Sequence, residues 1–389
     1  MKNVLFVTTY SGMGGGETLT LNLMSAMDRS RYALHLITPA PGLFPQKAAE
    51  IGVKVHHVPY RGTSTFFVPR LWALLPITRA LRAFLIAHNI EAVISDYHTL
   101  PFVVPAAESI PIPVIWNAMG WWFPIYPWQR PFFESRVSRI LAITQAVKDK
   151  LIGEPPRLDP DRIEVIIPGV DIDYFKPGVD GSAVRQRLGI GADVPLVGMA
   201  ARFQVHKGHE TFLEAARQVA AVIPEARFVV SGDNTGSFKI PKDEAYKQFI
   251  LDTARTDPIL RSHVTYLGFY PDVREVIAAS DVMVCSSNFE SLLMVALESM
   301  SMGRPIVSTA VGGPSETVIE GVTGNLVPPR NGKALADKIV ALLRDPEKRR
   351  AMGEAGRSHV VEHFSSTRYA ARIGSILDEA NGSAPHPQG

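Results

Sequence analysis

Hydrophobic and polar positions along the chain follow a repeating rhythm of short apolar runs and amphipathic stretches. In the first half, five apolar runs predict β-strands: Val4–Thr8, Ala33–Thr38, Val53–Val58, Ala92–Ser95 and Pro113–Trp116. After the first of these runs, Glu17–Met27 carries apolar residues at helical spacing. Strands that alternate with helices are typical of βαβ units, so the pattern predicts a parallel sheet covered on both faces.

The second half of the chain restarts the same rhythm. Its predicted strands are Leu196–Ala200, Arg227–Ser231, Thr265–Leu267, Val282–Cys285 and Pro305–Ser308. Its predicted helices are Glu210–Val222, Ser291–Ser301, Lys333–Leu343 and a last one from about Thr367 to Asp378. The turn-rich segment Ile166–Asp171 lies between the halves, so we place a hinge there and predict two Rossmann-like domains, 1–168 and 169–364.

Composition narrows the class of protein without identifying it. The chain has 389 residues, a formal net charge of +2 and one cysteine, Cys285. The balanced charge argues against a nucleic-acid partner, and a single cysteine excludes a disulfide framework. No stretch of about 20 uninterrupted apolar residues occurs, so we expect no membrane-spanning helix. The first apolar run is expected to be a buried strand rather than a signal peptide.

A glycine-rich segment, Gly12–Glu17, follows the first predicted strand. Glycines allow a tight turn and a close approach to a ligand, and a helix N-terminus favours an anion. Three interpretations stay open: a dinucleotide site, a tight turn without ligand, and a loop that approaches a substrate or a phosphate. The dinucleotide interpretation is weakened because Glu17 stands where a third glycine belongs. The second strand also runs from Thr38 into Pro39, without the carboxylate that a ribose needs.

Two pairs of charged residues lie in the second half. Glu290 and Glu298 flank the start of a predicted helix, where backbone N–H groups could hold a phosphate and the carboxylates sugar hydroxyls. Arg202 and Lys207 follow Leu196–Ala200, at the sheet edge where ligands bind in open α/β folds. Two cations at that edge can neutralise a diphosphate. From spacing alone an alternative stays open for each pair. The glutamates could be ordinary helix carboxylates, and the two cations could be surface charges on a loop.

In this order, the motifs resemble the retaining glycosyltransferases of family 4, which have the GT-B fold. The resemblance is carried by these segments: Gly14-Gly15-Gly16-Glu17, Arg202-Phe203 with Lys207-Gly208, Glu290 with Glu298, Ser299–Ile306, Gly312–Glu316 and Gly321–Val327. It implies an α/β fold of two Rossmann-like domains whose parallel sheets face each other across a cleft. It also implies that a C-terminal helix, 365–380, crosses back to the first domain.

The resemblance implies a role for each matching residue of the second domain. Arg202 and Lys207 would hold the donor diphosphate and stabilise the leaving group as its bond breaks. Glu298 would bind the ribose, and Glu290 would hold the donor sugar together with backbone N–H groups around residues 293–295. The implied donor-binding residues are Gly15, Gly16, Arg202, Lys207, Glu290, Leu293, Met294, Val295 and Glu298.

On the first domain, the resemblance assigns Gly15 and Gly16 to the space for the diphosphate and the acceptor. His98, after the Ala92–Ser95 strand, resembles a family histidine that faces the donor sugar. The implied catalytic residues are therefore His98, Glu290, Arg202 and Lys207. A lone histidine is more often structural, so this assignment rests on its position at a strand end.

The implied substrates are a UDP- or GDP-linked sugar and a glycan, lipid-linked or small-molecule acceptor. The resemblance implies a retaining, oxocarbenium-like transfer that needs no metal or other cofactor, since the two cations replace the metal. It further implies a cytoplasmic enzyme of cell-envelope polysaccharide or glycolipid biosynthesis.

Two positions depart from the family pattern. Leu293 replaces a small residue, so the donor-sugar pocket is expected to be narrower or differently aimed. Met119 stands where the family frequently has a histidine, which removes one polar contact on the acceptor side.

An aromatic, proline-rich stretch, Trp116–Phe133, is predicted to be a loop. Its residues Trp121 and Trp122, with Met119, are candidates for acceptor binding, because aromatic rings stack on sugars. This stretch and the arginine-bearing segment Phe66–Phe84 also suit a peripheral contact with the inner membrane face. The alternative is that both are packed parts of the core.

Two other functions remain as alternatives from the sequence. A nicotinamide-dependent oxidoreductase would use the first glycine loop. A non-catalytic scaffold that binds sugar nucleotides would keep the fold without transfer, although the full set of Arg202, Lys207, Glu290 and Glu298 argues against it.

Overall fold

The computed structural model describes residues 1–60, 74–108, 110–120, 125–234 and 240–381. The chain divides into two compact units. Unit 1 comprises Met1–Gly169 and the chain from Ser366 onward, and unit 2 comprises Val170–Ser365. Each unit is built on one parallel sheet, which confirms the predicted α/β architecture.

Unit 1 contains a seven-stranded sheet in the order β3-β2-β1-β4-β5-β6-β7. Its strands are β1 (Lys2–Val7), β2 (Tyr32–Thr38), β3 (Lys54–His57), β4 (Ala92–Ser95), β5 (Val114–Ala118), β6 (Arg139–Ala142) and β7 (Ile163–Val165). Its helices before residue 170 are α1 (Gly15–Ala26), α2 (Leu43–Glu50), α3 (Leu75–Ala87), α4 (Leu100–Ala107), α5 (Arg130–Arg136) and α6 (Gln145–Ile152). Residues 4–7 of β1 are fully buried because helices cover both faces of a parallel sheet.

Unit 2 contains a six-stranded sheet in the order β10-β9-β8-β11-β12-β13. Its strands are β8 (Leu196–Ala200), β9 (Arg227–Ser231), β10 (Val264–Gly268), β11 (Val282–Cys285), β12 (Ile306–Thr309) and β13 (Gly324–Val327). Its helices are α7 (Ser182–Leu188), α8 (His209–Val222), α9 (Pro241–Thr256), α10 (Leu260–His263), α11 (Val273–Ala279), α12 (Met294–Ser301), α13 (Pro314–Thr317), α14 (Gly332–Arg344) and α15 (Pro346–His363).

The last helix, α16 (Ser366–Asn381), returns to unit 1. Its apolar residues Tyr369, Ile373 and Leu377 join the core formed by the first strands and helices of that unit. Tyr32 Oη donates a hydrogen bond to the Gly374 carbonyl oxygen at 3.1 Å. The most N-terminal strand and the most C-terminal helix of the chain therefore share one core.

The strand order positions the loops that matter for function. In unit 1 the order reverses between β1 and β4, and in unit 2 it reverses between β8 and β11. The loops that follow such a pair leave the sheet in opposite directions, which opens a crevice at the carboxyl ends of the strands. Each unit therefore has its candidate crevice at one defined pair of central strands.

The sequence predictions of the strands differ from the observed bounds by at most a few residues, and those of Ala92–Ser95, Leu196–Ala200, Arg227–Ser231 and Val282–Cys285 are confirmed in full. The loop prediction for Trp116–Phe133 is wrong where α5 forms, and at Trp116 the overlapping strand prediction Pro113–Trp116 is the correct one. Trp116 lies inside β5 and is fully buried against Phe133 of α5, with ring centroids 4.8 Å apart. A proline in the first turn of α5 is compatible with a helix, because an N–H group at that position would have no acceptor within the helix.

No helix within the described ranges is both long enough and apolar enough to cross a membrane. The candidate acceptor residues Trp121 and Trp122, and the part of Phe66–Phe84 before residue 74, lie outside the described residues.

Candidate functional site

The loops that follow β8 and β11 meet at the crevice of unit 2 and are tied together by close contacts. Ser286 Oγ donates a hydrogen bond to the Gly208 carbonyl oxygen at 2.9 Å, and the Asn288 N–H donates to the His206 carbonyl oxygen at 2.7 Å. Gly208 has φ +66°, and a Cβ atom there would lie 2.0 Å from the Ser286 carbonyl oxygen. Only glycine fits this position, because it adopts the left-handed region freely and has no side chain to clash.

An ion pair between Lys207 and Glu290 joins the two loops by their side chains. The Lys207 side chain is 16% exposed and that of Glu290 is 8% exposed. Ser287 Oγ donates a further hydrogen bond to Glu290 Oε1 at 3.1 Å. These contacts argue against the alternative of a surface charge for Lys207 and against that of an ordinary helix carboxylate for Glu290.

His206 stands between the cations of the first loop. Burial, and then the positive charges of Lys207 and Arg202, lower the pKa of His206 to about 4, so its imidazole is neutral near pH 7. Its ring stacks on Phe289 of the second loop, with centroids 4.8 Å apart. Arg202, two residues beyond β8, thus contributes to the same positive field as Lys207.

Helix α12 begins at this crevice, and its first turn differs from the sequence prediction. The sequence predicts a helix from Ser291, whereas the helix starts at Met294, because Leu293 is left-handed with φ +69° and ψ +76°. This conformation costs a leucine about 1–2 kcal/mol. The N–H groups at the start of α12, including those of Met294 and Val295, have no acceptor within the helix and carry its positive dipole end.

Two glycines of a neighbouring loop hold the backbone before α12 in place. A Cβ atom at Gly312 would lie 1.8 Å from the Glu290 carbonyl oxygen, and one at Gly313 would lie 2.2 Å from the Leu292 carbonyl oxygen. The Gly313 N–H donates a hydrogen bond to the Ser291 carbonyl oxygen at 3.1 Å. The chain from Glu290 to Leu292 therefore rests directly on the backbone of residues 312–313.

Glu298 lies one turn into α12 and is buried, with 8% of its surface exposed. Burial raises the pKa of its carboxyl group to about 7. An ordinary solvated helix carboxylate, the alternative that the spacing left open, does not fit this environment. A carboxyl group of raised pKa at a crevice is typical of a binding or catalytic site.

The crevice of unit 1 contains the residues that the sequence assigned to the acceptor side. Gly15 and Gly16 open α1, and a Cβ atom at Gly16 would approach Met119 Sδ to 3.1 Å. A Cβ atom at Gly15 would meet no atom within 4 Å, so space is open there. His98 is half-buried in the turn between β4 and α4. These residues follow β1, β4 and β5, the central strands of the sheet.

Asp96, in the same crevice, was missed by the sequence reasoning. It accepts hydrogen bonds from the N–H groups of Thr9, at 2.7 Å, and Thr99, at 3.0 Å, and burial raises the pKa of its carboxyl group. A cavity of about 20 Å³, room for about one water, is lined in part by Asp96, Asn117 and Met119. An acidic residue directly after a buried strand was the available signal.

The structure thus brings Arg202, Lys207, Glu290 and Glu298 to one edge of the unit 2 sheet. It brings Gly15, Gly16, His98 and Met119 to one edge of the unit 1 sheet. In the part of the chain that the structure describes, no group of three or more His, Cys, Asp and Glu residues has the arrangement of a metal site.

Two family models match consecutive parts of the chain. The model described as Glycosyltransferase Family 4 matches residues 13–174, and the model described as Glycosyl transferases group 1 matches residues 181–359. Together they span nearly all of both units.

Among curated proteins, the chain is similar to the alpha-maltose-1-phosphate synthase of Mycolicibacterium smegmatis, with 28% identity over 68% of this chain and 70% of the relative. It is also similar to the D-inositol 3-phosphate glycosyltransferase of Corynebacterium kroppenstedtii, with 30% identity over 64% of this chain and 54% of the relative. The match thus spans about half the length of the second relative.

Among solved structures, Anabaena Alr3699/HepE in complex with UDP has a TM-score of 0.82 at 22% identity, covering 97% of this chain and 100% of the other. A glycosyltransferase from Rickettsia africae has a TM-score of 0.85 at 19% identity, covering 97% and 98%. At these identities the likeness shows the shared fold.

The buried Glu298 carboxyl group predicts a pH-dependent stability. Its folded pKa of about 7 lies above its ordinary value of 4.5, so the folded state binds the proton more tightly. The contribution of Glu298 to the free energy of unfolding is complete below pH 4.5. It is lost as the pH rises through about 7, a change of about 3 kcal/mol. Thermal midpoints of the wild type and Glu298→Gln between pH 4 and 8 measure it.

We expect the thermal midpoint of Glu298→Gln to rise relative to that of the wild type as the pH rises from 4.5 to about 7. Other titrating groups are common to both proteins, so the difference between the two curves isolates Glu298. Parallel curves would contradict the raised pKa.

Proposed function

The chain belongs to the family 4 glycosyltransferases of the GT-B fold, and from this we propose that it transfers a sugar from a nucleoside-diphosphate sugar to an acceptor. The donor is UDP- or GDP-linked, and the acceptor is a glycan, a lipid-linked molecule or a small molecule. One observation carries the proposal: the buried Lys207–Glu290 pair at the start of α12, beside Arg202 and the buried Glu298. Cations, free N–H groups and carboxylates are the chemistry that a sugar diphosphate requires.

In this proposal each group of unit 2 has a separate task. Arg202 and Lys207 bind the diphosphate, and their charge stabilises the nucleoside-diphosphate leaving group as the glycosidic bond breaks. The N–H groups of Met294 and Val295 add partial positive charge. Glu290, fixed by Lys207 and Ser287, accepts hydrogen bonds from sugar hydroxyls, and Glu298 accepts them from the ribose.

We further propose that transfer retains the anomeric configuration and needs no metal ion. The two cations Arg202 and Lys207 support the second part, because they stand where a metal would otherwise neutralise the diphosphate. Retention follows the family resemblance. His98 of unit 1 is proposed to face the donor sugar.

The acceptor is proposed to bind in unit 1, near Gly15, Gly16 and Met119, with Trp121 and Trp122 as further candidates. By their names, one relative synthesises alpha-maltose-1-phosphate and another is a glycosyltransferase for D-inositol 3-phosphate. A soluble, phosphorylated small acceptor is therefore a candidate alongside the cell-envelope glycans and glycolipids. A cytoplasmic location with peripheral membrane contact through the first domain remains part of the proposal for a lipid-linked acceptor.

No observation within the described residues favours the nicotinamide-dependent alternative. Strand β2 ends at Thr38 and continues into Pro39 and Ala40, so the position of a ribose-binding carboxylate is taken by apolar residues.

A screen of nucleotide sugars tests the donor class. In a screen of UDP-, GDP- and ADP-sugars, a sugar that binds and is present at 100 times its dissociation constant raises the free energy of unfolding by about 2.7 kcal/mol, since only the folded state binds it. We expect a rise in the thermal midpoint with a UDP- or GDP-sugar, the first being UDP-glucose, and none with NADH. A shift with NADH alone would contradict the proposal.

The stereochemistry and the metal requirement are tested on the transfer product. We expect NMR coupling constants of the new glycosidic bond to report the same anomeric configuration as the donor. We expect the initial rate to be unchanged by an excess of EDTA. An inverted product, or activity that EDTA abolishes and Mg²⁺ or Mn²⁺ restores, would reject the respective part.

Removing either partner of the ion pair is expected to abolish most transfer. Lys207→Ala and Glu290→Gln should each lower kcat by about 100- to 1,000-fold, the range for one group that stabilises transition-state charge. Lys333→Ala is the matched control, because Lys333 forms an exposed ion pair with Asp337 and should keep wild-type transfer. Circular dichroism checks that each variant is folded. Wild-type turnover in the folded Lys207 and Glu290 variants would overturn their roles.

A further inference from the structure

Leu293 has a backbone conformation that leucine rarely adopts. Among the described residues three that are not glycine have a positive φ: Asn89, Leu293 and Arg330. Asparagine tolerates this region, and Arg330 lies exposed in the loop before α14. Leu293 is a bulky apolar residue, half-buried, and it stands directly before α12 at the proposed donor site. It is therefore the outlier that calls for a functional reason.

The surroundings impose this conformation on position 293. Before it, Leu292 is buried with 2% exposure and its carbonyl oxygen rests against Gly313. After it, the Ala296 N–H donates a hydrogen bond to the Leu293 carbonyl oxygen at 3.2 Å, which begins the helix. The backbone is thus fixed on both sides, and a glycine would adopt the same path without strain.

Burial does not explain why a leucine occupies this position. Leu292 and Leu297 are fully buried in unit 2, whereas the Leu293 side chain is partly exposed at the crevice. Backbone strain at a partly exposed residue beside a crevice is typical of a functional site. The side chain must therefore contribute something in the crevice that the hydrogen atom of a glycine could not.

Covalent geometry determines where the Leu293 side chain is attached relative to the proposed donor site. The Leu293 Cβ atom lies within about 4 Å of the Met294 nitrogen, whose N–H group is proposed to face the donor diphosphate. Glu290, proposed to hold the donor sugar, is three residues away. The isobutyl group is consequently attached next to the place proposed for the junction between the diphosphate and the sugar.

We propose that Leu293 is a specificity-determining residue that limits the size of the donor sugar, so that the enzyme accepts an unsubstituted hexosyl group and rejects an N-acetylhexosaminyl group. The proposal rests on the proposed function and deepens it. The left-handed backbone holds the isobutyl group at the crevice, and the group's volume excludes the N-acetyl substituent.

The test compares kcat/KM for UDP-glucose and UDP-N-acetylglucosamine in the wild type, Leu293→Ala and Leu293→Gly. Alanine removes the isobutyl group but keeps the strained Cβ, whereas glycine removes both. We expect the wild type to prefer UDP-glucose, and both variants to lower that preference by about ten-fold or more, the scale of excluding a small group from a pocket. We also expect Leu293→Gly to melt at a higher temperature than Leu293→Ala.

Arg330→Gly is the matched control, since it relieves a positive φ at an exposed position of unit 2. It should leave the donor preference as in the wild type. An unchanged preference in both Leu293 variants, a change in Leu293→Gly alone, or equal use of both donors by the wild type would overturn the proposal. So would a wild type that uses only GDP-sugars, although the proposed function would then stand. Absence of transfer from every donor, without binding of UDP or GDP, would reject the proposed function itself.

Discussion

The ion pair between Lys207 and Glu290 is the interaction on which the site of unit 2 depends. Burying two charges is costly, and the cost is offset only when geometry and additional hydrogen bonds are good. The pair meets this condition because Gly208 lets its loop touch Ser286 and because Gly312 lets Glu290 rest on a second loop. The glycines thus matter less for flexibility than for the close backbone contacts that they permit.

In both units a carboxylate at the crevice connects two loops. A reversal of strand order opens a crevice, and a carboxylate then joins the loops on its two sides. In unit 2 this carboxylate is Glu290, which pairs with a lysine, and in unit 1 it is Asp96, which accepts hydrogen bonds from Thr9 and Thr99. The two differ in charge balance. Glu290 has a cationic partner, whereas Asp96 is held mainly by neutral donors and has a raised pKa.

The sequence was sufficient to predict the alternation of strands and helices, because the spacing of hydrophobic positions and the turn residues are local properties. It singled out Arg202, Lys207, Glu290 and Glu298 through the order of the motifs in the family resemblance, and the structure brings these four residues to one sheet edge. It did not identify the left-handed Leu293, which depends on contacts with Gly312 and Gly313 about 20 residues further along the chain. It placed Phe133 in a loop for a similar reason, because packing of Phe133 against Trp116 outweighs the local proline signal.

The return of α16 to unit 1 has a consequence for synthesis on the ribosome. Unit 1 begins at the first residue, yet Tyr369, Ile373 and Leu377 complete its core only after some 200 residues of unit 2 have been made. Unit 2 is continuous in sequence and can fold as soon as it emerges, whereas the nascent unit 1 keeps the apolar surface around Tyr32 uncovered until α16 has been made. The first domain to be translated is therefore the last to be finished, and chaperones have that interval in which to bind it.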